Sequence, residues 1–196
     1  MEREIELADN HFLQIKQEES PDDPRSWDNL GIMACFHRRY SLGDDNIPFH
    51  SDDFNNWSEM EEHLRTNLKA VVILPLYLYD HSGITMNTTG FSCRWDSGQV
   101  GLIYVTEEKI KEEYGEINEE NLAKAKRVLE GEVKTYDSYL TGDIYSFKLV
   151  KKSTCDHGHV HEELVDSCGG FYGSDPDKNG MWDHIGEQYR PMLKTA

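Results

Sequence analysis

The sequence predicts an α+β domain built on a mainly antiparallel sheet, with one long helix and two or three short ones. Three observations lead there. Apolar strand-like runs occur in both halves of the chain. Helical periodicity appears between them without the regular strand–helix alternation of a parallel sheet. The late run Asp143 to Lys151 is followed by Val160 to Val165 across a polar turn, the pattern of a hairpin. At 196 residues, the chain reads as one domain, 1–196, with 152–162 as a protruding hairpin tip.

Residues 1–17 alternate loosely through Ile5, Leu7, then Phe12, Leu13 and Ile15, which predicts a strand or hairpin. Pro21 and Pro24 mark a loop. Leu30 to His37 reads as a buried strand, and Trp57 to Leu68 as a short helix opened by Ser58 with Glu61 and Glu62 following. Ala70 to Tyr79 is almost wholly apolar and therefore central, with Pro75 announcing a bulge or a strand end. Ile84 to Thr89 and Val100 to Val105 are further strands. Thr106 opens a helix with Glu107 and Glu108 in its first turn, and Gly115 closes it.

Asn118 to Leu140 is the clearest helix: Leu122, Ala125, Leu129, Val133, Tyr136 and Leu140 recur every three or four residues. Gly131 lies inside it, either at a close packing contact or at a break. Lys152 to His159 reads as a turn and Ser167 to Gly173 as a glycine-rich bend. Asp183 to Leu193 is expected to be a last helix, disturbed by Pro191.

Net charge is −17, from 37 acidic and 20 basic residues. Such a surface disfavours direct nucleic-acid binding and suits a partner with a basic face. No apolar run approaches a membrane span, so no membrane association is expected. The charged opening Met1-Glu2-Arg3-Glu4 has no apolar stretch of a leader peptide, and a cytoplasmic location is expected. Cys35, Cys93, Cys155 and Cys168 form no CxxC pair and read as reduced thiols.

Nothing in the chain carries a nucleotide loop, a zinc-protease helix or a nucleophile elbow. The richest site region lies in the middle. Asp80, His81 and Ser82 follow the central strand, and Asp96 and Ser97 precede the next. His37 and Arg38 end another strand. Polar groups gathered at the ends of buried strands make a ligand pocket or an acid–base site. Consecutive Asp, His and Ser diverge, so such a site needs partners from other segments.

Cys155, His157, His159 and His161 form the most ligand-like cluster. In an extended segment the three imidazoles share one side, a set that suits zinc with Cys155 as fourth ligand. A hairpin tip that merely carries histidines is the alternative. Asp175 to Gly180 matches the first half of a calcium loop, but Gly186 stands where a bidentate Glu is needed. The glycine-rich Ser167 to Gly173 lacks the lysine of a phosphate loop, and Cys168 is a candidate nucleophile if a histidine serves it.

Five segments are distinctive together: Trp27-Asp28-Asn29-Leu30-Gly31, His37-Arg38-Arg39-Tyr40, Leu76 to Gly83, Trp95 to Gly101 and Asp166 to Gly173. Across about residues 25–185 they make the chain resemble a family of small proteins of unassigned function encoded by bacteriophages and other mobile elements. The resemblance implies expression inside a bacterial cell. It also implies binding to a host protein, in the manner of an anti-defence inhibitor such as an anti-CRISPR. It carries no catalytic residues over. A small-ligand-binding protein or hydrolase using the Asp80-His81-Ser82 and Asp96 cluster is the alternative.

Overall fold

A computed structural model describes residues 3–190. The chain is α+β, and its strands make two four-stranded antiparallel sheets. It divides into two compact units: residues up to Asp22 together with those from Gly142 onward, and Asp23–Thr141.

In the first unit, β1 (Arg3–Glu6), β2 (His11–Gln17), β7 (Ile144–Thr154) and β8 (Val160–Tyr172) follow one another in that order across the sheet. Asp9 and Asn10, both in the left-handed region, turn the chain between β1 and β2. Leu13, Ile15, Phe147, Leu149 and Phe171 bury one face with Met181 and Ile185. The late hairpin is present, with a tighter turn than the sequence predicts: β7 continues to Thr154, and only residues 155–159 lie between the strands.

Two expectations in this unit are corrected. Ser167 to Tyr172 is strand, because β7 satisfies its backbone and a bulge absorbs the glycines: Tyr145 faces Phe171 and Phe147 faces Cys168. The last helix is only α4 (Met181–His184) among the described residues, since the chain turns extended at Ile185. The end of the expected helix, 191–193, lies outside them.

In the second unit the sheet order is β3 (Ile32–Cys35), β6 (Ser97–Thr106), β4 (Ala70–Asp80) and β5 (Ile84–Asn87). Strands β6 and β4 are the inner pair. Ile103 and Val105 enter a core with Ala125, Leu129, Val133 and Tyr136, while Leu102 and Tyr104 enter a second core with Met60 and Leu64. Burial on both faces accounts for the unbroken apolar run of β6. Gly101 lets β3 approach, because a Cβ there would lie 2.1 Å from the Ala34 carbonyl oxygen. Pro75 sits within β4, where β5 pairs only Tyr77 to Asp80 and leaves that half with β6 alone. One of the two register shifts between β4 and β6 falls just beyond it, between Leu76 and Tyr77.

Three helices cover this sheet. α1 (Trp57–Thr66) is capped by Asn56, whose side chain accepts from the Glu59 amide at 3.0 Å; Ser58 is not the cap. α2 (Glu107–Tyr114) has Thr106 as its N-cap and Gly115, at φ 82°, as its end. α3 (Glu119–Thr141) buries Ala125, Leu129, Val133 and Tyr136 as the periodicity predicts, while Leu122 and Leu140 at its ends are half-buried and Asn121 is buried beside Leu122. Gly131 neither breaks α3 nor meets a neighbour, since a Cβ there would find open space. Asp137 ties α3 to β5 by accepting from the Met86 amide and the Thr85 hydroxyl, both at 2.7 Å.

Candidate functional site

The sheet of the second unit brings three strand ends together. β3 ends at Cys35 and leads to His37, β4 ends at Asp80, and β6 begins at Ser97. The Asp80 amide donates to the Asp96 carbonyl at 2.8 Å, so the end of one strand is tied to the start of the next. Between them lies a recess of about 300 Å³ lined by His37, Arg39, Asp80, Trp95, Asp96 and Ser97, among others. Buried Leu78 and Val100 contribute to its wall.

Four of the residues singled out in the sequence, His37, Asp80, Asp96 and Ser97, line this recess. His81 adjoins it, with Nδ1 3.4 Å from Asp96 Oδ2. Ser82 lies in an exposed turn at φ 59° and is not part of the lining. Arg38 is replaced by its neighbour. Arg39 Nη2 donates to Asp80 Oδ2, while Arg38 lines a different hollow with Asp44, Asp45 and Asp52. The reason is local: the His37 ring accepts the Arg39 amide at 3.3 Å and stacks on Tyr40 at 5.0 Å, and Arg39 lies over Tyr40. Tyr40 then donates to Asp80 Oδ1 at 3.2 Å.

Sequence reasoning also missed Trp95 as a site residue. Its side chain is 95% exposed, far more than the other exposed large apolar residues among those described. The available signal was a tryptophan in a polar turn with no apolar neighbour in sequence to pack it.

The chemistry on offer is ionic and aromatic recognition. Arg39 is two-thirds exposed and keeps donors beyond the one used on Asp80. Asp80 and Asp96 are acceptors, and Trp95 presents a broad π face. The Ser97 hydroxyl donates to the Cys93 carbonyl, and Ser82 lies outside the lining. Asp96 is also within reach of the Cys93 thiol, at 3.5 Å.

The second unit also holds a buried ionic knot that the sequence did not disclose. Arg25, with its side chain only 4% exposed, meets Asp44 at 2.7 Å, Glu132 at 3.0 Å and the Gly31 carbonyl at 2.7 Å. Burial acts to lower the Arg25 pKa, but Asp44 and then Glu132 outweigh it, and the net direction is upward. Glu132 also accepts the Leu30 amide at 2.7 Å, and Asp44 the Met33 amide at 2.8 Å. Beside it, burial pushes the Cys35 thiol up to about 12, with Asp44 adding to the effect.

The histidine-rich tip is a tight turn. The Cys155 amide bonds the His159 carbonyl at 3.0 Å, and the Gly158 amide, at φ 81°, bonds the Cys155 carbonyl at 2.8 Å. His157 therefore sits in the turn, and His161 sits in β8 opposite Ser153. The segment is not extended throughout, so the strand alternation that would align the imidazoles does not operate across it. Among the described residues, no group of three or more His, Cys, Asp or Glu gathers to hold a metal ion. At Asp175, the carboxylate takes Lys178 at 2.7 Å and the Asp177 amide at 3.1 Å, as a hydrogen-bonded turn does.

No helix of the described residues is long and apolar enough to cross a membrane. Compared with models of protein families, with curated proteins and with solved structures, the chain finds no match.

Proposed function

We propose that this chain is an accessory protein of a bacteriophage or mobile element that binds a host protein at that protein's basic surface, as an anti-defence inhibitor would. The observation that carries the reading is Trp95, almost wholly exposed on a recess whose other groups are Arg39, Asp80 and Asp96. An exposed tryptophan costs solubility without adding to the core, which is the behaviour of an interface anchor. A lysine or arginine of the partner stacks on its face while its charged head reaches Asp96 or Asp80. The net charge of −17 draws such a partner in and makes the complex sensitive to salt.

A second reading rests on the convergence of the same groups. A small anionic ligand would pair with Arg39 and stack on Trp95 in the recess, whose volume is at the lower end for ligand sites. Affinity capture with the tagged protein in a bacterial host, washed at low and high salt, separates the two. Host-protein binding predicts a stoichiometric protein released by salt. A preparation free of protein but holding a small molecule by mass spectrometry would support the second reading instead.

A further inference from the structure

We propose that Cys168 and His184 form a reactive-thiol pair whose substrate is a low-molecular-weight disulfide, with Cys168 as the residue that carries the adduct. The site belongs to the first unit, whereas the Trp95 recess belongs to the second.

Three features build it. Cys168 Sγ lies 3.9 Å from His184 Nδ1, close enough for the imidazole to take the thiol proton. The imidazole is held in place: α4 is fixed by Met181 and by Ile185 immediately after it, both fully buried, and the ring meets Phe171 edge-on at 5.3 Å. The backbone beside the thiol is irregular. Gly169 and Gly170, the latter at φ 79°, lie across from the single Ser146 in a bulge that interrupts the β7–β8 ladder directly after Cys168. Bulges of this kind re-aim a neighbouring side chain. A Cβ at Gly170 would meet nothing within 4 Å, whereas one at Gly169 would lie 3.0 Å from a Glu18 carboxylate oxygen.

The other cysteines lack this environment. Cys35 is held protonated by burial. Cys93 has its sulfur 3.5 Å from the Asp96 carboxylate and not against an imidazole. Cys155 sits in the hairpin turn, its amide bonded to the His159 carbonyl. Glu18 accepts the Gly170 amide at 2.9 Å, and Asp183 precedes His184 on α4.

In the reaction, His184 accepts the Cys168 proton and the thiolate attacks one sulfur of the disulfide. The substrate S–S bond breaks and a mixed disulfide forms on Cys168. The other half leaves as a thiolate and takes the proton from His184.

The test is site-resolved labelling of the full chain at pH 7, with iodoacetamide in one sample and glutathione disulfide in a separate one, read by peptide mass spectrometry. Cys168 is expected to alkylate about tenfold faster than Cys155 and to be the first cysteine to gain glutathione. His184→Gln, an exposed position, is expected to bring the Cys168 rate down to that of Cys155 while circular dichroism is unchanged. Cys168→Ser should abolish the fast phase. Equal rates at Cys168 and Cys155 in the unaltered protein would overturn the proposal. So would a Cys168 rate indifferent to His184→Gln in a folded variant.

Discussion

At the scale of single residues, the energetics are concentrated where charge is buried. Arg25 is enclosed by two carboxylates and a carbonyl, and removing it leaves Asp44 and Glu132 facing each other without a cation. Arg25→Ala should therefore cost about 3–5 kcal/mol in urea unfolding. Arg25→Lys should also destabilise, because one ammonium cannot reproduce the planar fork that meets all three partners. The Cys35 thiol makes a pH prediction. Its folded value is raised from 9.0 to about 12, so its contribution is fully present below pH 9 and is lost as pH rises toward 12. Between these limits the unfolded chain has released the proton and the folded chain has kept it, so stability falls. Melting temperatures of Cys35→Ala across that range should fall less steeply with pH than those of the parent.

Residue-scale legibility was uneven. His37, Asp80, Asp96 and Ser97 were legible because each sits at or next to a strand end that apolar periodicity marks. Arg39 was not, because the choice between two adjacent arginines depends on how the His37 and Tyr40 rings stack. The Arg25 knot joins residues 19 and 107 positions apart, and nothing local in the sequence announces such a pairing.

At the scale of elements, local chemistry decides most boundaries. Thr106 and Gly115 bracket α2 as cap and stop, and both signals were legible. β8 was legible only in its first half. Its later residues, Ser167 to Tyr172, have the composition of a loop, and they become strand because β7 supplies partners that local propensity cannot reveal. The same limit explains Pro75, which β4 accommodates where its second neighbour is missing. The pairing of β3 with β6 depends on Gly101, since a methyl group there would collide with the Ala34 backbone. Gly101→Ala should separate those strands and cause a large loss of thermal stability by circular dichroism. Gly131→Ala, with open space at its Cβ, should leave the fold intact and stabilise α3 by about 1 kcal/mol.

At the scale of the whole molecule, a strongly acidic chain presents a recess that combines carboxylates, an arginine and an exposed tryptophan. The antiparallel α+β class was legible from patterning, whereas the meeting of β3, β4 and β6 at one recess required the sheet order. The central claim is that Trp95 anchors a host protein. The most direct measurement is quantitative capture from the bacterial host by the unaltered protein and by Trp95→Ala, with the exposed Val160→Ala as a control in the other unit. Loss of a tryptophan anchor should cost about 2 kcal/mol or more, roughly thirtyfold in Kd. The account predicts one stoichiometric, salt-sensitive partner that Val160→Ala retains and Trp95→Ala loses, with melting temperatures unchanged. A partner retained equally by Trp95→Ala, or no protein partner at low salt, would contradict it.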